Sequence, residues 1–196
     1  MTQPKPRISH LSPPYTPDVE HALSQMMSGR HDREPLKLFR SFARDLPFTA
    51  AMGPLGQFML SSRDRNGAAF DLRTREIVID RVCAQCRCEY EWGVHVAVYS
   101  KKAGFDEEQL RSIVNGDAED ACWSEKDRAV ITMVDELHSA GTLSDAAFAA
   151  LSRHYQTVEI IELFALAGWY HAIAYMANAM RTELEDWAPR FPRSGA

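Results

Sequence analysis

Between Arg75 and His95 the chain reads REIVIDRVCAQCRCEYEWGVH, and three side chains in this run have the types and spacing to act together. Glu91 and His95 are four residues apart, and Cys88 is three before Glu91, so on one α-helix all three fall on the same face. A helix starting near Cys88 turns its free N–H groups and the positive end of its dipole toward the sulfur, which favours a thiolate. His95 can stabilise that thiolate or relay its proton. Glu91 can orient the imidazole or act as a base itself. The same spacing also fits a plainer arrangement, with the Glu–His pair a modest surface interaction and the cysteine a small core residue.

The neighbours of this trio add candidates. Cys83 and Cys86 form a C-x-x-C and are possible resolving thiols for an oxidised Cys88, or else a core residue and an incidental one. Cys86 is awkwardly placed on a regular helix, where side chains two apart diverge; a break in the helix removes that objection. Tyr90 can donate a hydrogen bond to a substrate. A zinc ion held by Cys83, Cys86, Cys88 and His95 is conceivable by ligand type, but a structural site takes two separated ligand pairs, so no metal is expected. No cofactor is expected either. Arg73, Arg75 and Arg81 can bind a carboxylate, although salt bridges are the commoner use of such arginines. His171 and Asn178, seven apart on the last apolar segment, either line a pocket or are satisfied core groups. Trp92 reads as a core or interface aromatic and Cys122 as structural.

The elements that must position these residues are helices. Residues 1 to about 16 are Pro-rich and polar, an extended arm, and a Thr-Pro signal opens a short helix over 17–28 that Gly29 and the charged HDRE segment interrupt. Pro35 can occupy the first turn of a helix that puts Leu36, Phe39, Phe42, Ala43 and Leu46 on one face. The apolar segment after Pro47 contains Gly53-Pro54, which can kink or split it, and Asn66-Gly67 marks a turn. From Asp71, Leu72, Glu76, Ile79 and Cys83 share one stripe, and the pattern breaks at residues 84–87. The next helix runs from near Cys88 to Lys102, with Gly104 as its stop. Asp106 and Gln109 have capping-box spacing; Ser124, Ser144 and Thr157 open the remaining helices, and Gly141 ends one of them. No segment shows sustained period-2 alternation between hairpin turns, so the fold class is all-α, a helical bundle.

Composition bounds the rest. With 196 residues, 45% hydrophobic and 25% charged, the chain suits one domain with an N-terminal arm: residues 1–34 as an arm with a short helix, 35–196 as the helical domain. The net charge is −5, and no long basic run is present, which argues against nucleic acid or an anionic membrane as the main partner. The N-terminus lacks the apolar core of a secretory signal, and no stretch approaches the roughly 18 apolar residues of a membrane span. The last apolar segment carries Glu159, Glu162, His171 and Asn178 and reads as a buried bundle helix. The expected location is the cytoplasm, where the clustered cysteines stay reduced and point to redox or metal chemistry, or to chance.

The run from Arg75 to His95 resembles the core helical hairpin of the carboxymuconolactone decarboxylase / alkylhydroperoxidase D superfamily. The hydroperoxidase branch has a Glu, twelve positions on a Cys, then C-x-x-C-x-x-x-H; Glu76, Cys88 and His95 fit, while Glu91 stands where the second cysteine belongs, so the branch's own disulfide is ruled out. The decarboxylase branch has E-x-x-x-H with an Arg about twenty positions before the His, which Glu91, His95 and Arg75 fit. The resemblance covers about residues 35–186 and is most specific over 75–95. It implies an alkylhydroperoxidase D-like all-α fold, a homo-oligomer and a small-molecule substrate. Its leading implication is acid–base chemistry on a small organic acid or lactone, with Glu91 and His95 moving protons and Arg75 anchoring a carboxylate. The rival is a thiol peroxidase, with Cys88 attacking peroxide, Cys83, Cys86 or an external thiol resolving it, and His95 with Glu76 or Glu91 managing protons. A non-catalytic oligomeric binding protein is the third reading.

Overall fold

The computed structural model describes residues 5–27, 34–61 and 69–193. Among them every regular element is a helix: α1 (Pro17–Met26), α2 (Lys37–Phe42), α3 (Leu46–Leu60), α4 (Leu72–Gln85), α5 (Glu89–Ala103), α6 (Glu107–Asn115), α7 (Glu125–Ala140), α8 (Asp145–Ser152) and α9 (Thr157–Met180). The expected turn at Asn66-Gly67 and the interruption at Gly29 lie outside the described residues.

Helix α4 is the centre of the bundle. It forms a hairpin with α5 and packs on α6, α7 and α9. Asp71 caps it, accepting from the Thr74 N–H at 2.7 Å, and every residue from Thr74 to Cys83 is buried. A helix enclosed on all sides is normally apolar throughout. This one carries charges, and the arginines among them are paired. Arg81 makes a two-pronged contact with Asp135 at 2.6 and 2.7 Å and also donates to the carbonyls of Ile113 and Gly116; Arg75 pairs with Glu76. Around α4, Ile77, Ile79, Val82, Met133, Val134, Leu163 and Leu166 make the core. Helix α9 is long and apolar enough to cross a membrane by length and composition, but its stripe of Leu163, Leu166, Ala167, Tyr170, Ala174 and Ala177 is buried in the bundle.

Several helix ends follow the sequence signals. Asp106 and Gln109 form the capping box of α6, Ser124 and Ser144 cap α7 and α8, and Gly104 and Gly141 end α5 and α7 with positive φ, which costs a residue without Cβ little. Two expectations need correcting. The helix expected from Pro35 through Leu46 stops at Phe42, and a new one starts at Leu46. Pro47 disfavours helical backbone just before it, and Asp45 caps the new start by accepting from Phe48. Gly53-Pro54 does not split α3; Gly53 has no Cβ to meet the proline ring, which relieves the usual clash.

The described residues before α1 and after α9 lie on the bundle. In the arm, the N–H groups of Arg7 and Ile8 donate to the Met180 carbonyl and that of Leu11 to Arg40, while α1 packs on α3. After α9 the chain passes so close to α5 that a Cβ on Gly93 would lie 2.5 Å from the Pro189 carbonyl oxygen.

Candidate active site

The site is built where α4, α5 and α9 meet. Glu76 is fully buried on α4. One of its oxygens accepts from Arg75 Nε at 2.6 Å, and the other lies 2.8 Å from Nδ1 of His95 on α5. On the far side of the ring, Nε2 is 3.0 Å from the Tyr170 hydroxyl on α9. The simplest hydrogen assignment has Nδ1–H donating to the Glu76 carboxylate and the Tyr170 O–H donating to the Nε2 lone pair. Glu91 Oε2 is 3.7 Å from Nε2, too far for a hydrogen bond but near enough to exchange a proton after a small movement. Burial raises the Glu91 carboxyl above its ordinary range; the nearby His95 opposes this and Glu185 adds to it. Burial also pushes the Tyr170 phenol well up.

Glu91, His95 and Tyr170 line a cavity of about 1100 Å³, at or above the size of typical ligand pockets of about 300–1,000 Å³. Its walls are largely apolar and aromatic, with Leu38, Phe42, Met52, Tyr99, Trp169 and Ile173 among them. Tyr99 packs on the His95 ring and under the Arg75 guanidinium, 4.6 Å from its centroid. Lys37, Arg40 and Lys102 are the cations on the lining.

The cysteines separate at the joint between α4 and α5. Arg87 takes a left-handed conformation, φ 53°, so the helix breaks between Cys86 and Cys88 as the sequence pattern requires. Cys88 becomes the N-cap of α5 and is buried. The expected thiolate is not favoured there. N–H groups of Glu91 and Tyr90 pull the thiol pKa down, but burial and the Glu91 charge win, and the thiol is pushed up to about 12. Cys83 is enclosed in the core with its thiol also raised, chiefly by burial. Cys86 is half-buried and groups instead with His138 and His171.

The structure thus brings Glu76, Glu91 and His95 together, with Arg75 behind them. It gives two residues other work than the sequence suggested. Arg75 is tied to Glu76 and to the Leu60 carbonyl and is absent from the cavity lining. The Tyr90 hydroxyl donates to Glu185 at 2.7 Å and accepts from the Leu38 N–H at 3.0 Å, so it braces the wall and has no hydrogen left for a substrate. Sequence reasoning missed Tyr170 and Glu185. Tyr170 was within reach: it continues the buried stripe of Leu163, Leu166 and Ala167, and His171 lies one step off it. No local pattern marks Glu185, which follows α9 and accepts from the Lys37 N–H at 2.7 Å.

Residues 55–135 match the model of the Carboxymuconolactone decarboxylase family. That match covers the stretch that holds Glu76, Glu91 and His95, and together with the fold it supports a relation to the carboxymuconolactone decarboxylase / alkylhydroperoxidase D-like superfamily. No curated protein matches it in sequence. Solved structures of the same fold include an uncharacterized peroxidase-related protein from Silicibacter sp. TM1040, with TM-score 0.76, 16% identity, and 98% of this chain and 100% of the other covered. A protein of unknown function from Agrobacterium tumefaciens, suggested to be an antioxidant defence protein AhpD, has TM-score 0.61 and 20% identity over 71% of this chain and 90% of its own. The debrominase Bmp8 aligns at TM-score 0.67 and 15% identity over 92% of each chain, and a cysteine-to-alanine variant of it has been solved with 2,3,4-tribromopyrrole. At these identities the likeness is one of fold, and the superfamily includes decarboxylases, peroxidase-like proteins and a debrominase.

Proposed function

We propose that the chain is an acid–base enzyme of the decarboxylase type, acting on a small organic acid or lactone with an apolar body. The observation that carries this reading is the orientation of His95, clamped through Nδ1 by the Arg75–Glu76 pair and presenting Nε2 among cavity-lining groups. An imidazole held this way is oriented as a proton donor and acceptor before substrate arrives. Loss of CO2 from a β-keto acid or related lactone leaves a carbanion-like centre that needs charge stabilisation and then a proton. Glu91, raised by burial, passes its proton to the Nε2 lone pair; the imidazolium so formed, held by the Glu76 carboxylate, delivers that proton from Nε2 to the carbanion-like carbon, and Glu91 takes a proton back from solvent. The Tyr170 hydroxyl stabilises the developing enolate oxygen once substrate displaces it from Nε2. Lys102, exposed on α5 at the cavity lining, takes the role of carboxylate anchor that Arg75 is too occupied to fill.

The thiol reading needs a thiolate at Cys88, and the buried, raised thiol there opposes it.

The test is a panel of lactone acids and β-keto acids assayed for CO2 release and for solvent deuterium in the product. His95→Gln is expected to lose activity by about a hundred- to ten-thousand-fold, Lys102→Ala to raise KM with kcat nearly unchanged, and Cys88→Ser to stay close to wild type. Activity that survives His95→Gln but vanishes in Cys88→Ser would overturn the reading.

A further inference from the structure

At the α4–α5 joint, three side chains carried by α4, α7 and α9 converge. Cys86 is the C-cap of α4, His138 lies in the last turn of α7, and His171 is in the middle of α9. One ligand atom from each, the Cys86 sulfur and a ring nitrogen of each histidine, all lie within 4.8 Å of one another. The packing of α4 on α7 and α9 fixes the three positions, so the cluster is a product of the fold and of no linear motif.

The surroundings orient these atoms. His171 Nδ1 is 2.8 Å from the Ala167 carbonyl oxygen, which can only accept, so Nδ1 carries the hydrogen and Nε2 carries the lone pair. This is the backbone-carbonyl support that metal-bound histidines commonly have on their second nitrogen. His138 Nδ1 is 2.9 Å from that lone pair and therefore donates to it in the metal-free state. The rings stack with centroids 5.2 Å apart. Asn178, one of the polar residues of the last apolar segment, donates to the Cys86 carbonyl at 2.8 Å and fastens the Cys86 turn to α9. The spacing between the two imidazole nitrogens is close to that of two ligands on one ion, so binding requires a switch of the His138 tautomer and only a small movement.

We infer that Cys86, His138 and His171 form a binding site for a borderline-soft divalent ion, Zn²⁺ in the first instance, joining the ends of α4 and α7 to α9. One thiolate and two imidazoles select such an ion over Mg²⁺ or Ca²⁺, which take oxygen ligands. On binding, the Cys86 thiol loses its proton to solvent and a sulfur–metal bond forms. The hydrogen of His138 moves from Nδ1 to Nε2, and the fourth position is left to water. A zinc site on Cys83, Cys86, Cys88 and His95, considered from sequence, is replaced by one that shares only Cys86 with it. The inference stands apart from the acid–base reading, because none of its three ligands lines the cavity.

The test uses the whole chain, stripped of metal and titrated with Co²⁺ as the spectroscopic probe, then with Zn²⁺ in competition. One equivalent of Co²⁺ is expected to give a near-ultraviolet sulfur-to-cobalt band with intense visible bands of a four-coordinate ion. Cys86→Ser should abolish the near-ultraviolet band. His171→Ala should weaken binding by more than the about 10- to 100-fold that loss of an outer-shell partner costs. In the wild-type chain, Zn²⁺ should protect Cys86 from alkylation and leave Cys122 unprotected, a readout that needs no variant to fold. A near-ultraviolet band that survives Cys86→Ser, or Zn²⁺ that leaves Cys86 as reactive as before, would overturn the inference.

Discussion

Two histidine sites in the molecule share residue types, and they differ in what surrounds them. His95 is enclosed, with Glu76 on one nitrogen and Tyr170 on the other. His138 is exposed, and its imidazole meets another imidazole beside a half-buried thiol. The inner arrangement holds one proton pattern, with Nδ1 against a fully buried carboxylate. In the outer one a single hydrogen is shared between two imidazole nitrogens, and in the inferred metal site it gives way to a cation. The residue types overlap; burial and the partner groups decide the chemistry.

The difference predicts unequal costs of mutation. The largest belongs to Glu76→Ala, which leaves Arg75 buried without its carboxylate and His95 without its clamp. Removing one member of a buried ion pair costs about 3–5 kcal/mol, and urea denaturation should show a loss of that order. Next comes Tyr90→Phe behind the cavity-lining Leu38 and Glu185, which strands the Leu38 N–H and removes a donor from Glu185. A buried group left unsatisfied costs about 1–3 kcal/mol, measurable in the same way; an unchanged midpoint would mean water replaces the hydroxyl.

The third prediction concerns pH. The folded state raises the Glu91 carboxyl, chiefly by burial, so above the ordinary Glu value of about 4.3 the folded chain holds a proton that the unfolded chain has released. Stability from this group is therefore greatest at low pH and falls as pH rises through the window up to the raised folded value. Glu91→Gln should flatten that slope in denaturation curves taken across the window. The smallest effect is on the outer side: His138→Ala should change stability by no more than about 0.5 kcal/mol. A cost like that of Glu76→Ala would show that the two sites are equally structural.

The sequence pattern carried much of the bundle because caps and stops are local. Asp106 with Gln109, Ser124, Ser144, Gly104 and Gly141 all act on backbone within one turn. The hairpin trio was readable for the same reason, since Glu91 and His95 share a helix. What stayed hidden depends on contacts between distant residues. Tyr170 reaches His95 across 75 positions and Glu185 reaches Tyr90 across 95, and no spacing rule spans such gaps. The state of the Cys88 thiol stayed open for another reason. A helix N-terminus is visible in sequence, but the desolvation that outweighs it at Cys88 comes from the packed whole.

The tail after α9 carries a consequence for where this molecule can be divided. The family match ends at residue 135 and holds Glu76, Glu91 and His95. Trp169, Tyr170, Ile173, Glu185 and Trp187 line the same cavity from beyond it. A chain cut after Met180 would keep every helix described here and still lose part of the cavity wall, with Glu185 and its hold on Lys37 and Tyr90. The cavity wall is thus supplied by stretches of the polypeptide that lie on both sides of residue 135. Exchanging the segment after α9 between relatives should change which molecules the cavity accepts while leaving the Glu76–His95 contact in place.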